Sequence, residues 1–318
     1  MSISQTPRAY SGAPTTAPRL WLALAFFVIF VVWGTTYLAI RYAVETIPPL
    51  VTAAIRHSTA GAILMGIAWW RGFRPRWDHW MAGAVVGALF FLIGHGSLHW
   101  AEQYVSSGLA ALLIASEPLW ILVIGSALGR QRITWQSGVG LLLGLAGVAI
   151  LTVPALTSLT AATWAMVAVL ASSASWALGV CLSPRLSLPE DAMGRTAVPA
   201  LCGGAMLLVA AGVSGEFSAM DWSAVSLKSF LGLAYLISFG SVIAFTAYTW
   251  LLQRVSPTLV ATHSFVNPVV AVLVGWWWAS EPLSLRVLLS TVVILGAIAL
   301  VQQGDRHPEL LVDEGEPS

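Results

Sequence analysis

Charged side chains are scarce in this sequence. Asp, Glu, Lys and Arg make up 9% of its 318 residues, and the formal net charge is +1, whereas soluble domains carry about 25% charged residues. Hydrophobic residues account for 58% of the chain, with a mean hydropathy of +0.81. So little charge excludes a soluble enzyme, a disordered protein and a nucleic-acid binder with a basic surface. The composition predicts a protein of the lipid bilayer.

Cysteine is also scarce, and both copies, Cys181 and Cys202, lie in apolar runs, which excludes a disulfide framework. No apolar segment with a small-residue cleavage site precedes the first long hydrophobic run, so we expect no cleaved signal peptide. The polar tails, residues 1–19 and 305–318, are expected to lie in the cytoplasm without forming a further domain.

Long apolar runs dominate the rest of the chain, and a helix needs about 20 such residues to cross the hydrocarbon core. Since lipid satisfies no backbone polar groups, runs of this length predict helices. The fold class predicted is therefore all-α integral membrane, with ten transmembrane helices. The ten predicted spans are residues 20–44, 50–70, 80–100, 105–128, 135–153, 162–183, 196–214, 229–252, 257–279 and 285–303.

The few cations support this count. With a cytoplasmic N-terminus, 11 of the 15 Lys and Arg residues fall in segments on the inner side, as the positive-inside rule predicts. The other four are Arg41, Arg56, Lys228 and Arg286. Both termini are therefore predicted to be cytoplasmic.

The sequence also repeats itself. Residues 94–151 align without a gap to residues 244–301, so that Trp100 is aligned with Trp250 and Pro118 with Pro268. The chain is thus predicted to consist of two five-helix halves, residues 20–154 and 160–304. Five is an odd number, so the second half must be inverted in the membrane, an arrangement that places substrate sites between the halves near the midplane.

Several short motifs lie in or beside these spans: Trp33-Gly34-Thr35-Thr36-Tyr37, Arg56, Glu117-Pro118, Asn267-Pro268 and Glu281-Pro282. With two five-helix halves, they resemble the drug/metabolite transporter superfamily, and within it an EamA-type permease, over about residues 20–304. The resemblance implies export of amino acids, related metabolites or drugs; some members exchange phosphorylated compounds in organelles. It also implies a central cavity among spans 1, 3, 4, 6, 8 and 9, with Trp176 matching a cavity aromatic.

The two repeat-equivalent prolines, Pro118 and Pro268, interrupt spans 4 and 9. Each should free the carbonyl four residues earlier, at Ile114 and Ser264. Such a carbonyl should face a cavity, or a neighbouring helix should satisfy it at a simple kink.

Glu117, whose repeat partner is Asn267, is an ionisable residue within a span and therefore a functional candidate. One interpretation is a structural ion pair with Arg56 of the second span. The other is a site for a substrate ammonium group or a proton.

His95, His99 and Glu102 follow one another at i, i+4 and i+7 on one face of the third span, with Leu98 beside them. This stripe suits a cavity lining, and buried hydrogen-bonding histidines are the alternative. No metal site is expected, because the stripe lacks a compact ligand set.

Aromatic and polar residues complete the predicted site. Trp33 and Tyr37 share a face of the first span, and His263 precedes Asn267 by one turn, although His263 also suits a satisfied core histidine. The full predicted substrate-binding set is Trp33, Thr36, Tyr37, Arg56, His95, Leu98, His99, Glu117, Trp176, Tyr248, His263 and Asn267. Aromatic rings bind apolar side chains or cations, and ordinary packing is the alternative for each.

Together with the resemblance, which implies export and the inner membrane of a bacterium, the sequence predicts an exporter of small amphipathic metabolites that works by alternating access as a uniporter or proton antiporter. It contains no ATP-binding or hydrolase motif, so no cofactor is expected. Its predicted partners are a small-molecule substrate, membrane lipid and protons, in a monomer or weak dimer without nucleic acid. The alternatives are an intramembrane enzyme using His95, His99 and Glu102, or a passive channel.

Overall fold

A computed structural model describes residues 18–129, 133–156, 160–252, 254–255, 260 and 262–304. Within these ranges the regular structure is helical and contains no strand, which confirms the all-α prediction. The polar tails lie outside the described residues, apart from positions 18 and 19.

Ten long helices follow one another in the part of the chain that the structure describes. They are α1 (Arg19–Ala43), α2 (Pro49–Trp70), α3 (Trp77–Ala101), α4 (Ser107–Ala127), α5 (Trp135–Leu156), α6 (Ala161–Leu182), α7 (Ala192–Val213), α8 (Leu227–Leu251), α9 (His263–Ala279) and α10 (Leu285–Gly304). In the described part of the chain, nine are long and apolar enough to span a bilayer. The exception, α9, has 17 residues and covers most of the predicted span 257–279. The count of ten spans stays a prediction.

Three of these helices contain a π-helical stretch, in which the backbone is locally wider than an α-helix. The stretches are Val28–Val32 in α1, Ala88–His95 in α3 and Leu236–Ile243 in α8. The sequence repeat matches residues 150 positions apart. At this spacing the π-helical stretch in α3 overlaps the one in α8. Such stretches commonly occur at functional sites. The stretch in α1 ends next to Trp33, and the stretch in α3 ends at His95.

Helix packing joins the first five helices to the second five. The most extensive contacts are between α2 and α7 and between α5 and α10, which are equivalent helices of the two predicted halves. Other contacts occur as equivalent pairs, one in each direction between the two halves. The α3–α7 contact corresponds to the α2–α8 contact, and the α4–α6 contact corresponds to the α1–α9 contact. Helix α4 also contacts α9, its equivalent helix in the second predicted half.

The α5–α10 contact depends on glycine. A Cβ atom built on Gly140 would lie 2.8 Å from the carbonyl oxygen of Ala297 in α10, and one on Gly147 would lie 2.7 Å from Ile294. Only glycine permits backbones to approach this closely. The small residues of α5 therefore pack inside the bundle.

Large apolar side chains cover the outer surface of the bundle. Trp70, Trp135 and Trp277 are each more than 80% exposed. In water such a surface would drive aggregation, and in a bilayer it is the surface that contacts lipid.

Candidate functional site

Three helices bring Trp33, Tyr248 and His263 together. The ring of Trp33 in α1 lies 5.2 Å from that of Tyr248 in α8 and 5.0 Å, edge to face, from that of His263 in α9. The indole Nε1 of Trp33 donates to the carbonyl oxygen of Gly240 at 3.0 Å, an acceptor in the π-helical stretch of α8. These three side chains, here called the Trp33 cluster, unite α1 with two helices of the predicted second half.

Asn267 supports this cluster from one helical turn beyond His263. It is buried, and with its amide oriented to donate, Nδ2 bonds to the carbonyl oxygens of His263 and Phe30, each at 3.1 Å. The bond to Phe30 ties α9 to the π-helical stretch of α1. Asn267 therefore fixes the local backbone, and its neighbour Pro268 is also buried.

A second group, the histidine cluster, contains His57, His95 and His99. The Nδ1 atom of His95 lies 2.7 Å from Nε2 of His57, and Nδ1 of His99 lies 2.7 Å from the carbonyl oxygen of His95. The ring of His95 stacks on Trp176 of α6, with centroids 5.3 Å apart. The structure thus brings together three predicted residues, His95, His99 and Trp176.

His57 is absent from the predicted site, although the sequence carried a signal for it. It is an ionisable residue next to Arg56 in an apolar run, and in the structure it is 3% exposed. Spacing along α3 alone could not reveal it, because His57 reaches the cluster from α2.

Arg56 lies beside the histidine cluster and is 5% exposed. Its Nε donates to Ser241 Oγ at 3.1 Å, whereas its Nη1 has no hydrogen-bond partner among the described residues. Glu102 and Tyr37 lie near Arg56. A guanidinium held this way is charged, buried and only partly paired, as suits binding of an anionic group.

The structure does not pair Arg56 with Glu117. Among the ion pairs formed by the described residues, none joins the two side chains. Tyr37 and Tyr248 lie near Glu117 instead. The structural ion pair considered from the sequence is therefore wrong, and no cation of the described residues forms an ion pair with the Glu117 carboxyl group.

Helix α4 is broken immediately before Glu117. Its first part ends at Ile114 and its second part begins at Glu117, with Pro118 in the first turn. The carbonyl oxygen of Ile114 accepts a hydrogen bond from Ser173 Oγ of α6 at 3.2 Å. A neighbouring helix therefore satisfies this carbonyl, as in the kink interpretation. The break places Glu117 at the positive N-terminus of a helix segment.

The remaining predicted residues, Thr36, Tyr37 and Leu98, pack inside the bundle. Thr36 is buried and donates to the carbonyl oxygen of Trp33 at 2.6 Å. Leu98 is 4% exposed within the main apolar core, and Tyr37 packs against the same core. We therefore assign Leu98 to packing between α3 and its neighbours.

A further polar structure, here called the Glu281 cap, lies at one end of the bundle. Glu281 Oε1 accepts from the backbone N–H and the hydroxyl of Ser107, at 2.8 and 2.9 Å, and Oε2 accepts from the N–H of Gly108 at 3.0 Å. Arg41 Nη1 lies 3.5 Å from Oε1 and donates to the carbonyl of Val105. One buried carboxylate from the α9–α10 connection thus caps α4 and holds α1.

In the part of the chain that the structure describes, no group of three or more His, Cys, Asp or Glu side chains is placed to hold a metal ion. The three histidines contact one another and a backbone carbonyl, an arrangement for hydrogen bonding and proton exchange.

A helical membrane bundle with polar clusters buried between its helices is an arrangement typical of membrane transporters. The chain matches the EamA-like transporter family over residues 20–153 and 163–302, and it belongs to that family. The membership confirms the predicted family and identifies a transporter, not an enzyme.

Relatives of the chain agree with this assignment. It is 36% identical over 285 residues to the uncharacterized inner membrane transporter YedA of Escherichia coli K12, covering 88% of this chain and 90% of that protein. It is 26% identical to the uncharacterized transporter YvbV of Bacillus subtilis, covering 89% and 91%. The chain is thus a multi-pass inner-membrane protein, as predicted.

A solved structure shows the same fold. The crystal structure of a protein 22% identical in sequence superimposes with a TM-score of 0.62, covering 91% of this chain and 98% of the other.

Proposed function

We propose that this transporter exports small amphipathic metabolites, such as amino acids or related compounds, by alternating access as a uniporter or proton antiporter. The observation that carries the proposal is that an aromatic cluster and a histidine cluster lie among the same helices as two ionisable residues, the buried Arg56 and the half-buried Glu117, which do not pair with each other. Buried ionisable groups in membrane helices mark substrate and ion sites.

The chemistry of these groups suits a zwitterion. Arg56 Nη1 has no partner among the described residues and could donate to a substrate carboxylate, while Glu117 could accept from an ammonium group. The rings of Trp33, Tyr248 and His263, within 6.0 Å of one another, would contact the apolar part or a cation. Small-molecule sites commonly combine apolar walls with a few polar groups.

Helix packing supports an alternating mechanism between two inverted halves. Contacts between equivalent helices, α2 with α7, α5 with α10 and α4 with α9, are those expected around a pseudo-two-fold axis. The Glu281 cap joins residues of both halves at one end of the bundle. We propose that the cap holds this face closed while the other face admits substrate.

Thermal stabilisation across an amino-acid panel tests the substrate class, because a ligand of the folded state stabilises it by RT ln(1 + [L]/Kd). We expect one or more amino acids to raise the melting temperature of the purified protein. Trp33→Ala should abolish the shift, whereas Trp277→Ala should retain it, since Trp277 is 81% exposed on the lipid side. A panel without any shift would contradict the proposed substrate class.

A further inference from the structure

Arg286 is a cation without a role in the site described above. It is one of the four cations that the predicted orientation places outside the inner segments, together with Arg41, Arg56 and Lys228. Each of the other three has a polar side-chain partner in another part of the bundle. The Arg286 side chain is exposed, and none of the ion pairs formed by the described residues includes it. The positive-inside rule gives no reason for a cation at this position.

The Arg286 side chain lines a cavity of about 320 Å³ between α4, α5, α6 and α10, here called the Arg286 cavity. Its apolar lining comes from Leu109, Leu151, Met166 and Val287. Leu151 and Met166 are buried, whereas Ser284 and Arg286, which also line the cavity, are exposed. The described residues that line it include no acid. An apolar interior with one cation at the opening suits an anionic amphiphile.

The cavity lies at the ends of its helices. Ser106 immediately precedes α4 and Ser284 immediately precedes α10, while Met166 lies in the second turn of α6. Trp164, in the first turn of α6, is 59% exposed, and tryptophan is enriched where membrane helices meet the lipid headgroups. The opening beside Arg286 is therefore at the depth of the lipid phosphate groups.

The start of α10 favours an anion. Arg286 is the second residue of this helix, and the N-terminus of a helix carries a partial positive charge that disfavours a cation. Glu281, the acid of the α9–α10 connection, already accepts three hydrogen bonds in the cap and pairs with Arg41. A phosphate group at the opening is favoured both by the helix dipole and by the Arg286 guanidinium, which can donate to two phosphate oxygens at once.

An exposed apolar face of α10 begins in the same turn as Arg286. Its residues are Leu285, Leu288, Leu289 and Val292, which share one side of the helix and are each at least 44% exposed. A phospholipid has a part for each feature, since its phosphate suits Arg286 and its acyl chains suit the apolar lining and this face. A free phosphate or another small soluble anion would leave the apolar surfaces unused. The observations therefore favour a lipid.

We propose that the Arg286 cavity binds one anionic phospholipid, with its phosphate at Arg286 and an acyl chain on the apolar lining. Ser106 and Pro282 line the cavity, and each is the chain neighbour of a residue in the Glu281 cap. The bound lipid thus contacts both segments that the cap joins, and it stabilises this end of the bundle. Lipid binding here does not depend on which substrate the transporter carries.

Native mass spectrometry of the full-length protein, released from detergent micelles, tests the site with phosphatidylglycerol and with phosphatidylethanolamine of the same acyl chains. The wild type should bind one phosphatidylglycerol about fivefold more tightly or better, the order of preference that one cation gives an anionic lipid. Arg286→Gln should remove this preference, and Arg286→Lys should keep part of it. Lys228→Gln is the matched control: it removes an exposed cation at the start of α8, outside the cavity, and should keep the preference.

Phosphatidylglycerol should also raise the melting temperature of the wild type but not of Arg286→Gln, because only the former binds it specifically. Equal affinity of the wild type for the two lipids overturns the proposal, whichever variants fold. An equal loss of preference in Lys228→Gln also overturns it, since it identifies unspecific attraction between charges. Glycerol 3-phosphate, the soluble part of the headgroup, should not displace the lipid; displacement at matched concentration would identify a site for soluble anions instead.

Discussion

Replacement of Glu281 should open one face of the transporter. Its carboxylate is 8% exposed and accepts three hydrogen bonds from the first turn of α4. Glu281→Ala removes them all and leaves two N–H groups and a hydroxyl without their acceptor. Arg41 contributes less, because its side chain is 37% exposed and solvent screens such a pair.

The cost can be estimated from these bonds. Each buried donor left unsatisfied costs about 1–3 kcal/mol, so Glu281→Ala should destabilise the closed face by about 3 kcal/mol or more. At 1.4 kcal/mol per tenfold, the ratio of open to closed states should rise on the order of a hundredfold. Glu281→Gln keeps one acceptor oxygen and should show a smaller effect.

Maleimide labelling measures this opening. In a background of Cys181→Ala and Cys202→Ala, Leu98→Cys introduces a thiol at a position that is 4% exposed in the closed structure. Glu281→Ala should increase its labelling rate strongly. Glu45→Ala is the control, because Glu45 pairs with Lys228 in an exposed bridge worth about 0–1 kcal/mol. Equal labelling of Leu98→Cys with and without Glu281 would refute the gating role.

Three further substitutions test helix packing, a hydrogen bond between helices and the pH dependence of stability. Gly34→Ala should lower the melting temperature because its added methyl group would lie 2.6 Å from a side chain of α9, whereas Gly66→Ala, with open space around it, should not. Ser173→Ala should cost about 1 kcal/mol in chemical denaturation by leaving the Ile114 carbonyl unpaired; an unchanged stability would contradict that role. Burial raises the pKa of Glu216, so this carboxyl contributes stability at acid pH that is lost as pH rises through its folded pKa. Glu216→Gln should flatten that part of the profile of melting temperature against pH, and an unaltered slope would contradict it.

The fold was largely predictable because lipid imposes a simple rule on sequence. Apolar runs of about 20 residues must be helices, and the helices α1 to α8 and α10 begin and end within a few residues of the predicted spans. The gap between α8 and α9 falls partly outside the described residues, so the predicted start of the ninth span at residue 257 is not tested there.

The site was predictable only along single helices. The stripe of His95 and His99 follows from helical periodicity, but His57 joins it through tertiary packing of α2 on α3. Glu117 and Arg56 looked complementary as isolated charges, yet Arg56 bonds to Ser241 of α8 instead. Which side chains meet across helices depends on helix rotation, which hydropathy does not determine.

Counterflow in proteoliposomes tests the central claim, a carrier with one amphipathic-metabolite site between two halves. Vesicles loaded with an unlabelled amino acid that stabilises the protein should transiently accumulate the radiolabelled form from outside, as only a carrier with an alternating site does. Trp33→Ala should abolish this accumulation, and the lipid-facing Trp277→Ala should retain it. Rapid equilibration of label without transient accumulation would instead identify a passive channel and contradict the carrier mechanism.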